Sequence, residues 1–486
     1  MSSPTRDATK SVAIQAAEYG MHRLVCSHDI THAFTIILEN TVFYISWYDR
    51  EGILTTSGID IAYHLEYYLV LLFILQRFNR TDWGRTGHPQ LVTTPRANAG
   101  EKCSGMTRIE VEGKKFVFDT ANPKALLHKS MAIRGRNTTV WEGQLVLEND
   151  EFSSEKYAIK FSWKEKTRKS EAEILRLITE RANGQRDILD YLPLVVASHV
   201  FSDVETGAIR AYMNVLEPKR APRELVVTVT TKLKGRITEL EPDDVWHVWW
   251  DCFKCHYKLW KLGIQHRDIS TANIMYWEDA ATGAKYGVLI DFDLAAIEGE
   301  ASNNQQRTGT RPFLAMDFLR DDGASVLHAY KHDVEAFCWV AVYVATCCES
   351  VDKRQLTSST PPMLKWAYVD NQTLLEKKEA FLYNPNKFKR TEKHEPGWGR
   401  WVYILRKIGP DFKQPTYDVN NDLVPPFLRA NAQAPTSTPT SSEQLHQTMI
   451  DIYNIYAESG PRYAPRVRAE VPHDGPPHRR PIYGRD

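Results

Sequence analysis

The chain has 486 residues and carries 61 basic and 61 acidic side chains, so its formal net charge at pH 7 is zero. This balance gives no global positive field and argues against a nucleic-acid partner. The seven cysteines are odd in number and scattered, which argues against a disulfide scaffold and favours a reducing, intracellular compartment.

Residues 1–125 are predicted to form an α+β region. Residues 11–25 have helical spacing, and residues 33–61 contain three apolar runs separated by turn residues, which predict a strand meander. A helix is predicted around residues 60–78. It contains the longest apolar run, Tyr67 to Leu75, which is shorter than the roughly 20 residues that a membrane helix needs. We therefore expect a buried helix and no membrane partner.

The next segment predicts a hairpin in residues 107–120, with its turn at Glu112-Gly113. No Gly/Ser-rich linker separates residue 120 from residue 135. The N-terminal region is therefore expected to pack on the region that follows it.

Residues 126–217 are predicted to be rich in strands, and residues 218–428 to be mostly helical. A helix of roughly residues 164–182 interrupts the strands and ends near Gly184. The strand-like runs are 132–147, 156–163, 192–201 and 209–218. In the helical region, residues 242–263 begin with a proline, carry acids in the first turn and stop at a glycine, which predicts a helix.

The C-terminal part of the sequence changes composition. Residues 429–442 have the composition of a linker, and residues 443–457 predict a helix with a capping box of Thr440 and Glu443. Residues 458–486 are rich in proline and arginine and are expected to be a disordered tail.

A polar loop after the helix of residues 242–263 carries a pattern typical of phosphoryl transfer. His266, Arg267 and Asp268 are followed by four residues and then Asn273, which is the spacing of a kinase catalytic loop. In such a loop the aspartate accepts the proton of the acceptor hydroxyl, and the asparagine binds Mg²⁺.

Two further residues stand where this chemistry needs them. Lys160 ends the strand-like run "YAIK". In kinases, the lysine that neutralises the phosphates stands at the same place in the V-A-I-K pattern. Asp291 follows a buried apolar run 23 residues after Asp268, and a carboxylate is a suitable ligand for Mg²⁺.

The phrases "WYDREGI", "GRNTTVWEG", "HRDISTANIM", "LIDFDLA", "TGTRPFLAMDFL" and "KHDVEAFCWV" together resemble the fungal-type protein kinase domain family of the eukaryotic protein kinase-like superfamily. The resemblance spans most of residues 11–345. It implies an α+β, two-lobed kinase fold with ATP between a small lobe (126–217) and a large lobe (218–428). The implied activity is ATP- and Mg²⁺-dependent phosphorylation of a protein substrate, on serine or threonine.

The resemblance also implies a role for each matching residue. Asp268 would be the catalytic base, and Asn273 and Asp291 would be the metal ligands. Lys160 would contact the α- and β-phosphates, and Gly135 would be the middle glycine of the loop that covers the phosphates.

A glutamate is expected to pair with that lysine. The resemblance favours Glu171, but its separation of 11 residues from Lys160 is short, so Glu165 and Glu173 stay open. Asp333 resembles the buried aspartate that braces the catalytic loop.

The sequence departs from the family pattern at several positions. Ile133 and Thr138 replace the outer glycines of the phosphate-covering loop, and Asp293 replaces the glycine of Asp-Phe-Gly. Ser270 and Ala272 leave both phosphate-clamping positions after Asp268 without a cation. An unscreened γ-phosphate would slow transfer, unless another basic residue such as Arg311 supplies the charge.

Residues 309–317 align with the end of an activation segment, with Met316 and Asp317 in place of Pro-Glu. Candidate phosphorylation sites in or near it are Ser302, Thr308 and Thr310.

Two other functions remain open. The degenerate glycine loop and Ser270 suit a pseudokinase that acts as a scaffold. A small-molecule phosphotransferase is the second alternative. Enzymes of that class typically have glycine between the histidine and the aspartate of this loop, whereas this chain has Arg267.

Overall fold

The structure is a computed structural model. It describes residues 11–26, 28–91, 105–147, 150–215, 221–300, 309–321, 323, 326–348, 362–413 and 441–458. Residues 429–440 of the predicted linker (429–442), residues 459–486 of the predicted tail (458–486), Ser302 and Thr308 lie outside the described residues.

The helices, numbered in chain order, are α1 Val12–Val25, α2 Leu65–Leu75, α3 Glu171–Ala182, α4 Arg186–Leu189, α5 Gly207–Tyr212, α6 Pro242–Lys261, α7 Tyr330–Cys347, α8 Pro362–Lys365, α9 Asn371–Tyr383, α10 Trp398–Lys413 and α11 Ser442–Glu458. The strands are β1 Ala33–Glu39, β2 Val42–Asp49, β3 Gly52–Thr55, β4 Ile59–Asp60, β5 Met106–Val111, β6 Lys114–Asp119, β7 Leu126–Lys129, β8 Thr139–Leu145, β9 Tyr157–Glu165, β10 Val195–Glu205, β11 Arg223–Thr231, β12 Gly235–Arg236, β13 Ile264–Gln265, β14 Ile274–Glu278, β15 Lys285–Leu289 and β16 Ala296–Ile297.

This mixture of helices and antiparallel sheets is an α+β fold, as predicted. The chain divides into two compact units. The first unit comprises the described residues within 11–173 and 194–232, and the second comprises those within 174–193 and 233–458.

A seven-stranded antiparallel sheet forms the centre of the first unit. Its strand order is β10-β11-β9-β8-β6-β5, with β7 paired to β8. Side chains that alternate along β6, β9 and β11 form one buried core, as expected for a sheet covered on that face: Phe116, Phe118, Ile159, Phe161, Trp163, Val227 and Val229. The predicted hairpin of β5 and β6 is confirmed, and Glu112 and Gly113 take positive φ values in its turn.

The N-terminal residues form their own small sheet in the same unit. Strands β1, β2 and β3 pair in chain order, and β4 pairs with β2, which confirms the predicted meander. Leu24 of α1 packs with Ala33 and Tyr48 on this sheet. The turn between β2 and β3 is fixed by Asp49, whose carboxylate accepts the N–H groups of Glu51 and Gly52 at 2.8 and 3.1 Å.

The second unit is mainly helical. Helix α6 buries Trp246, Trp249 and Trp250, and Trp250 lies 5.0 Å from the ring of Tyr453 on α11. The helices predicted at residues 242–263 and 443–457 are confirmed. The predicted capping box of Thr440 and Glu443 is wrong, because Ser441 and Gln444 form it: the Ser441 N–H donates to Gln444 Oε1 at 3.1 Å, and the Gln444 N–H donates to Ser441 Oγ at 3.2 Å. Small sheets β12-β14-β15 and β13-β16 hold the polar loops of this unit.

Three sequence-based expectations about secondary structure are wrong. Of the run predicted at residues 209–218, the described residues 209–215 do not form a strand, because β10 ends at Glu205 and the chain turns into the short helix α5. Beyond residue 218 the chain is not yet helical, since Arg223–Thr231 forms β11 between β10 and β9. The third helix does not begin near residue 164, because β9 continues to Glu165.

Helix α2 also differs from the prediction, because none of its side chains is buried. Leu69 and Phe73 are each 55% exposed. The sequence "LEYYLVLLFIL" is apolar around the whole helix, whereas the small sheet can cover only one side, for example through Phe43 against Tyr68. Within the described part of the chain, no helix is both long and apolar enough to cross a membrane.

Candidate active site

The first unit contains the predicted lysine and glutamate as an ion pair. Strand β9 places Lys160 between Val140 of β8 and Thr228 of β11 in the interior of the sheet. Its Nζ lies 2.9 Å from Oε2 of Glu171, and the two side chains are only 14% and 7% exposed. Removing two charges from water costs free energy that offsets their attraction. The Lys160–Glu171 pair is therefore weak evidence for a gain in fold stability.

The start of α3 explains why a separation of 11 residues is sufficient. Ser170 and Glu173 form a capping box in which the Glu173 carboxylate accepts the Ser170 N–H at 2.6 Å, and Ser170 Oγ accepts the Glu173 N–H at 3.3 Å. Helix α3 therefore begins one residue after Ser170, with Glu171 in its first turn. Glu165 pairs instead with Arg223 at 2.9 Å. The structure thus selects Glu171 among the three candidates.

The predicted phosphate-covering loop lies between β7 and β8. Gly135 has a φ of +114°, a conformation that glycine adopts without strain. Its N–H donates to the carbonyl oxygen of Arg50 at 3.0 Å. The loop is therefore in contact with the N-terminal residues. The sequence predicted packing between the two regions, but not this contact.

The predicted catalytic loop of the second unit lies between β13 and β14. Asp268 is only 5% exposed, and its Oδ1 accepts two hydrogen bonds of 2.9 Å, from the backbone N–H and the hydroxyl of Thr310. The Asn273 amide donates to the Asp268 carbonyl oxygen at 2.8 Å. These contacts bring the two predicted residues together and add Thr310, which sequence reasoning treated only as a phosphorylation candidate.

His266 fixes the backbone of this loop. Its Nε2 lies 3.0 Å from the Ile290 carbonyl oxygen, and its Nδ1 accepts the Asp268 N–H at 3.3 Å. This pattern requires a neutral ring with the proton on Nε2. Burial also lowers the pKa of His266, against the opposing effect of Asp333 and Asp268.

Asp333 braces the loop from α7, as the resemblance implied. Its Oδ2 accepts a hydrogen bond of 3.5 Å from the backbone N–H of Arg267, a residue with an unusual φ of +69°. Its two oxygens also lie 2.8 Å from His256 and 3.0 Å from His328. Burial would raise the pKa of the Asp333 carboxyl, but the two histidines hold that pKa well below its usual range.

Asp291 and Asp293 each place a carboxylate shortly after β15. Asp291 takes a left-handed backbone conformation with a φ of +65°. A carboxylate oxygen of Asp291 and one of Asp293 lie within 4.8 Å of each other. Ile290 donates its N–H to the Asn273 carbonyl oxygen at 3.0 Å, which links this segment to the catalytic loop. Hard carboxylate and amide oxygens fit Mg²⁺, so the residues present suit the expected metal.

Arg311 does not supply the positive charge that the positions of Ser270 and Ala272 lack. Its guanidinium donates to the carbonyl oxygen of Val369 at 2.9 Å and to Asn371 Oδ1 at 3.0 Å, so it is fixed at the start of α9. Ser270 is 1% exposed, and its hydroxyl has no hydrogen-bond partner within the described residues. Ser270, at the first of the two expected phosphate-clamping positions, is therefore a buried neutral side chain.

The family model described as "Fungal protein kinase" matches residues 2–232 and 223–345. The chain belongs to the fungal protein kinase family. Membership makes it a kinase-like protein, and the match covers the N-terminal residues, the predicted small lobe and residues 218–345 of the predicted large lobe.

Two further comparisons, with curated proteins and with solved structures, do not identify a closer family. A search of curated proteins finds no match. Among solved structures 1162 chains match, including "Structure of vaccinia related kinase 3" at 11% sequence identity and a TM-score of 0.40, with 76% of this chain and 95% of that chain covered.

Proposed function

We propose that this fungal protein kinase family member is an active enzyme that transfers the γ-phosphate of Mg-ATP to a serine or threonine hydroxyl of a protein. The two compact units would be the small and large kinase lobes, with the N-terminal residues as part of the small lobe. The observation that carries the proposal is the hydroxyl of Thr310, which donates to Asp268 Oδ1 at 2.9 Å. Asp268 therefore already accepts a hydrogen bond from the kind of group that a protein acceptor would present.

Each residue has a defined task in this proposal. Asp268 orients the acceptor hydroxyl and takes its proton, and Asn273 holds the Asp268 backbone while offering its amide oxygen to the metal. Asp291 supplies a carboxylate to the metal. Lys160, fixed by Glu171, places a cation for the phosphates. Mg-ATP, when bound, supplies the phosphoryl group and the metal charge that stabilises its transfer.

The substitution Asp268→Asn tests the proposal. The amide retains the size and most of the hydrogen bonding of the carboxylate, but it cannot take the proton. We expect turnover to fall about 100-fold or more, while the affinity for Mg-ATP stays within about threefold of wild type. Phosphate transfer to casein and Mg-ATP binding should be measured on both proteins. Asp187→Asn is the control, because Asp187 forms an exposed ion pair with Lys258.

The wild-type protein separates the remaining alternatives. Binding of Mg-ATP without transfer to any acceptor would favour a scaffold. Transfer to aminoglycosides but not to casein would favour a small-molecule phosphotransferase. Wild-type transfer that survives Asp268→Asn would overturn the role of Asp268.

A further inference from the structure

Three alternate residues of the loop between β7 and β8 are bound by the N-terminal part of the first unit. Ile133 packs against the apolar cluster that contains Leu24 and Tyr48. Gly135 donates its N–H to the Arg50 carbonyl oxygen at 3.0 Å. Because the contacts recur at every second residue, one side of the loop is bound along its length.

The third contact is made by Asn137 and the Arg50 guanidinium. With the amide oriented to satisfy its neighbours, the Asn137 oxygen accepts from the two terminal nitrogens of Arg50 at 2.7 and 3.0 Å, and its nitrogen donates to the Ser130 carbonyl oxygen at 3.1 Å. One of these nitrogens also donates to the Leu24 carbonyl oxygen at 2.7 Å. Arg50 therefore joins the loop to α1.

Arg50 is itself buried, and its terminal nitrogens are hydrogen-bonded, whereas its Nε has no hydrogen-bond partner within the described residues. It is 1% exposed, and its guanidinium carbon lies 5.8 Å from the ring centre of Trp163 on β9. Trp163 in turn donates its backbone N–H to the Arg136 carbonyl oxygen at 2.8 Å. A buried guanidinium with several acceptors has few alternative conformations, because breaking any contact leaves a charged donor unpaired.

We infer that Arg50 is a positioning residue for the phosphate-covering loop, and that the N-terminal region clamps this loop in the conformation that receives Mg-ATP. The inference rests on the proposed function. It explains the degenerate glycine pattern, because Ile133 stands at a glycine position and supplies an apolar anchor. A loop ordered before binding loses less conformational freedom when the nucleotide arrives, which favours tighter binding.

Asn137→Gly is the direct test. Asn137 has a φ of +42°, so glycine retains the backbone conformation and removes only the side chain that meets Arg50. We expect the dissociation constant of Mg-ATP to rise about tenfold, with faster amide hydrogen exchange in residues 131–138. Asn137→Asp keeps an oxygen for Arg50 and should restore both values towards wild type.

The matched control is Asn40→Gly. Asn40 also has a positive φ, +55°, but lies in the exposed turn between β1 and β2. It should change neither nucleotide affinity nor loop exchange. Melting temperatures of all variants report whether the fold is retained.

The outcomes separate the clamp from the enzyme assignment. If wild type binds Mg-ATP and Asn137→Gly binds it equally well, the positioning role is wrong. If wild type binds no nucleotide, the proposed function fails and the nucleotide part of the inference fails with it. Loop exchange unchanged by Asn137→Gly would overturn the clamp itself, whatever the nucleotide result.

Discussion

His28 is a buried imidazole packed against aromatic rings. It lies 4.2 Å from the ring centre of Phe161 in a stacked arrangement and 5.6 Å from that of Phe118. Its Nε2 has no hydrogen-bond partner within the described residues. Burial lowers the pKa of His28 from 6.5 to about 4, although Asp29 opposes the shift. The folded first unit therefore requires a neutral ring at this position.

The sign of the pH effect follows from that lowered pKa. In the unfolded chain the His28 ring binds a proton below about pH 6.5, but in the folded protein it does so only near pH 4. The stability that the neutral ring contributes is therefore fully present above about pH 6.5 and declines as the pH falls towards 4. We expect wild type to lose about 2 kcal/mol more than His28→Gln between about pH 7 and pH 5. Urea unfolding of both proteins at the two pH values measures this difference. Equal losses would mean that the ring ionises within the fold.

Some contacts between single residues could be predicted from the sequence. The pattern expected for phosphoryl transfer named Lys160 with Glu171 and Asp268 with Asn273, and the structure brings each of these pairs together. Their catalytic roles stay predictions. Other contacts could not be found in the same way. Arg50 meets Asn137, and Thr310 meets Asp268, across long stretches of chain, and a hydrogen bond between distant residues leaves no periodic signal in one sequence.

At the scale of elements, local patterns predicted helices better than they predicted burial. The capping residues and apolar spacing of α6 were sufficient, whereas β11 was missed because "RELVVTVTT" follows a segment interpreted as the start of a helical region. Helix α2 shows the limit clearly. Its composition favours a buried helix, but burial depends on whether another element covers it.

Matched leucine substitutions in α1 and α2 test this difference. Leu24 is 0% exposed and Leu69 is 55% exposed. We expect Leu24→Ala to lower the free energy of unfolding by about 2–5 kcal/mol, because it leaves a cavity. Leu69→Ala should change it by about 0.5 kcal/mol or less. Urea unfolding at low protein concentration provides both values, and a large cost at Leu69 would show that α2 is covered in solution.

At the scale of the whole molecule, the N-terminal residues are tied to the seven-stranded sheet by buried charges. Arg210 of α5 donates to both carboxylate oxygens of Asp49, at 2.7 and 3.0 Å, and the two side chains are 5% and 3% exposed. Glu51 lies 3.6 Å from the same guanidinium and accepts the hydroxyl of Thr206. The fungal kinase family match likewise covers both parts without a break. The N-terminal residues are therefore structural members of the first unit.

Removing the guanidinium should test how strongly the two parts depend on each other. Arg210→Met leaves Asp49 and Glu51 buried without their cation, a change that typically costs about 3–5 kcal/mol. The control is Lys166→Met, which removes a 2.7 Å pair with Glu205 whose side chains are 45% and 23% exposed and should cost about 1 kcal/mol or less. If the first unit is one cooperative structure, Arg210→Met lowers the unfolding midpoint of its N-terminal and sheet residues together, as followed by hydrogen exchange. Loss of protection confined to residues 12–91, with β8 and β9 unchanged, would instead show that the N-terminal residues fold independently of the sheet.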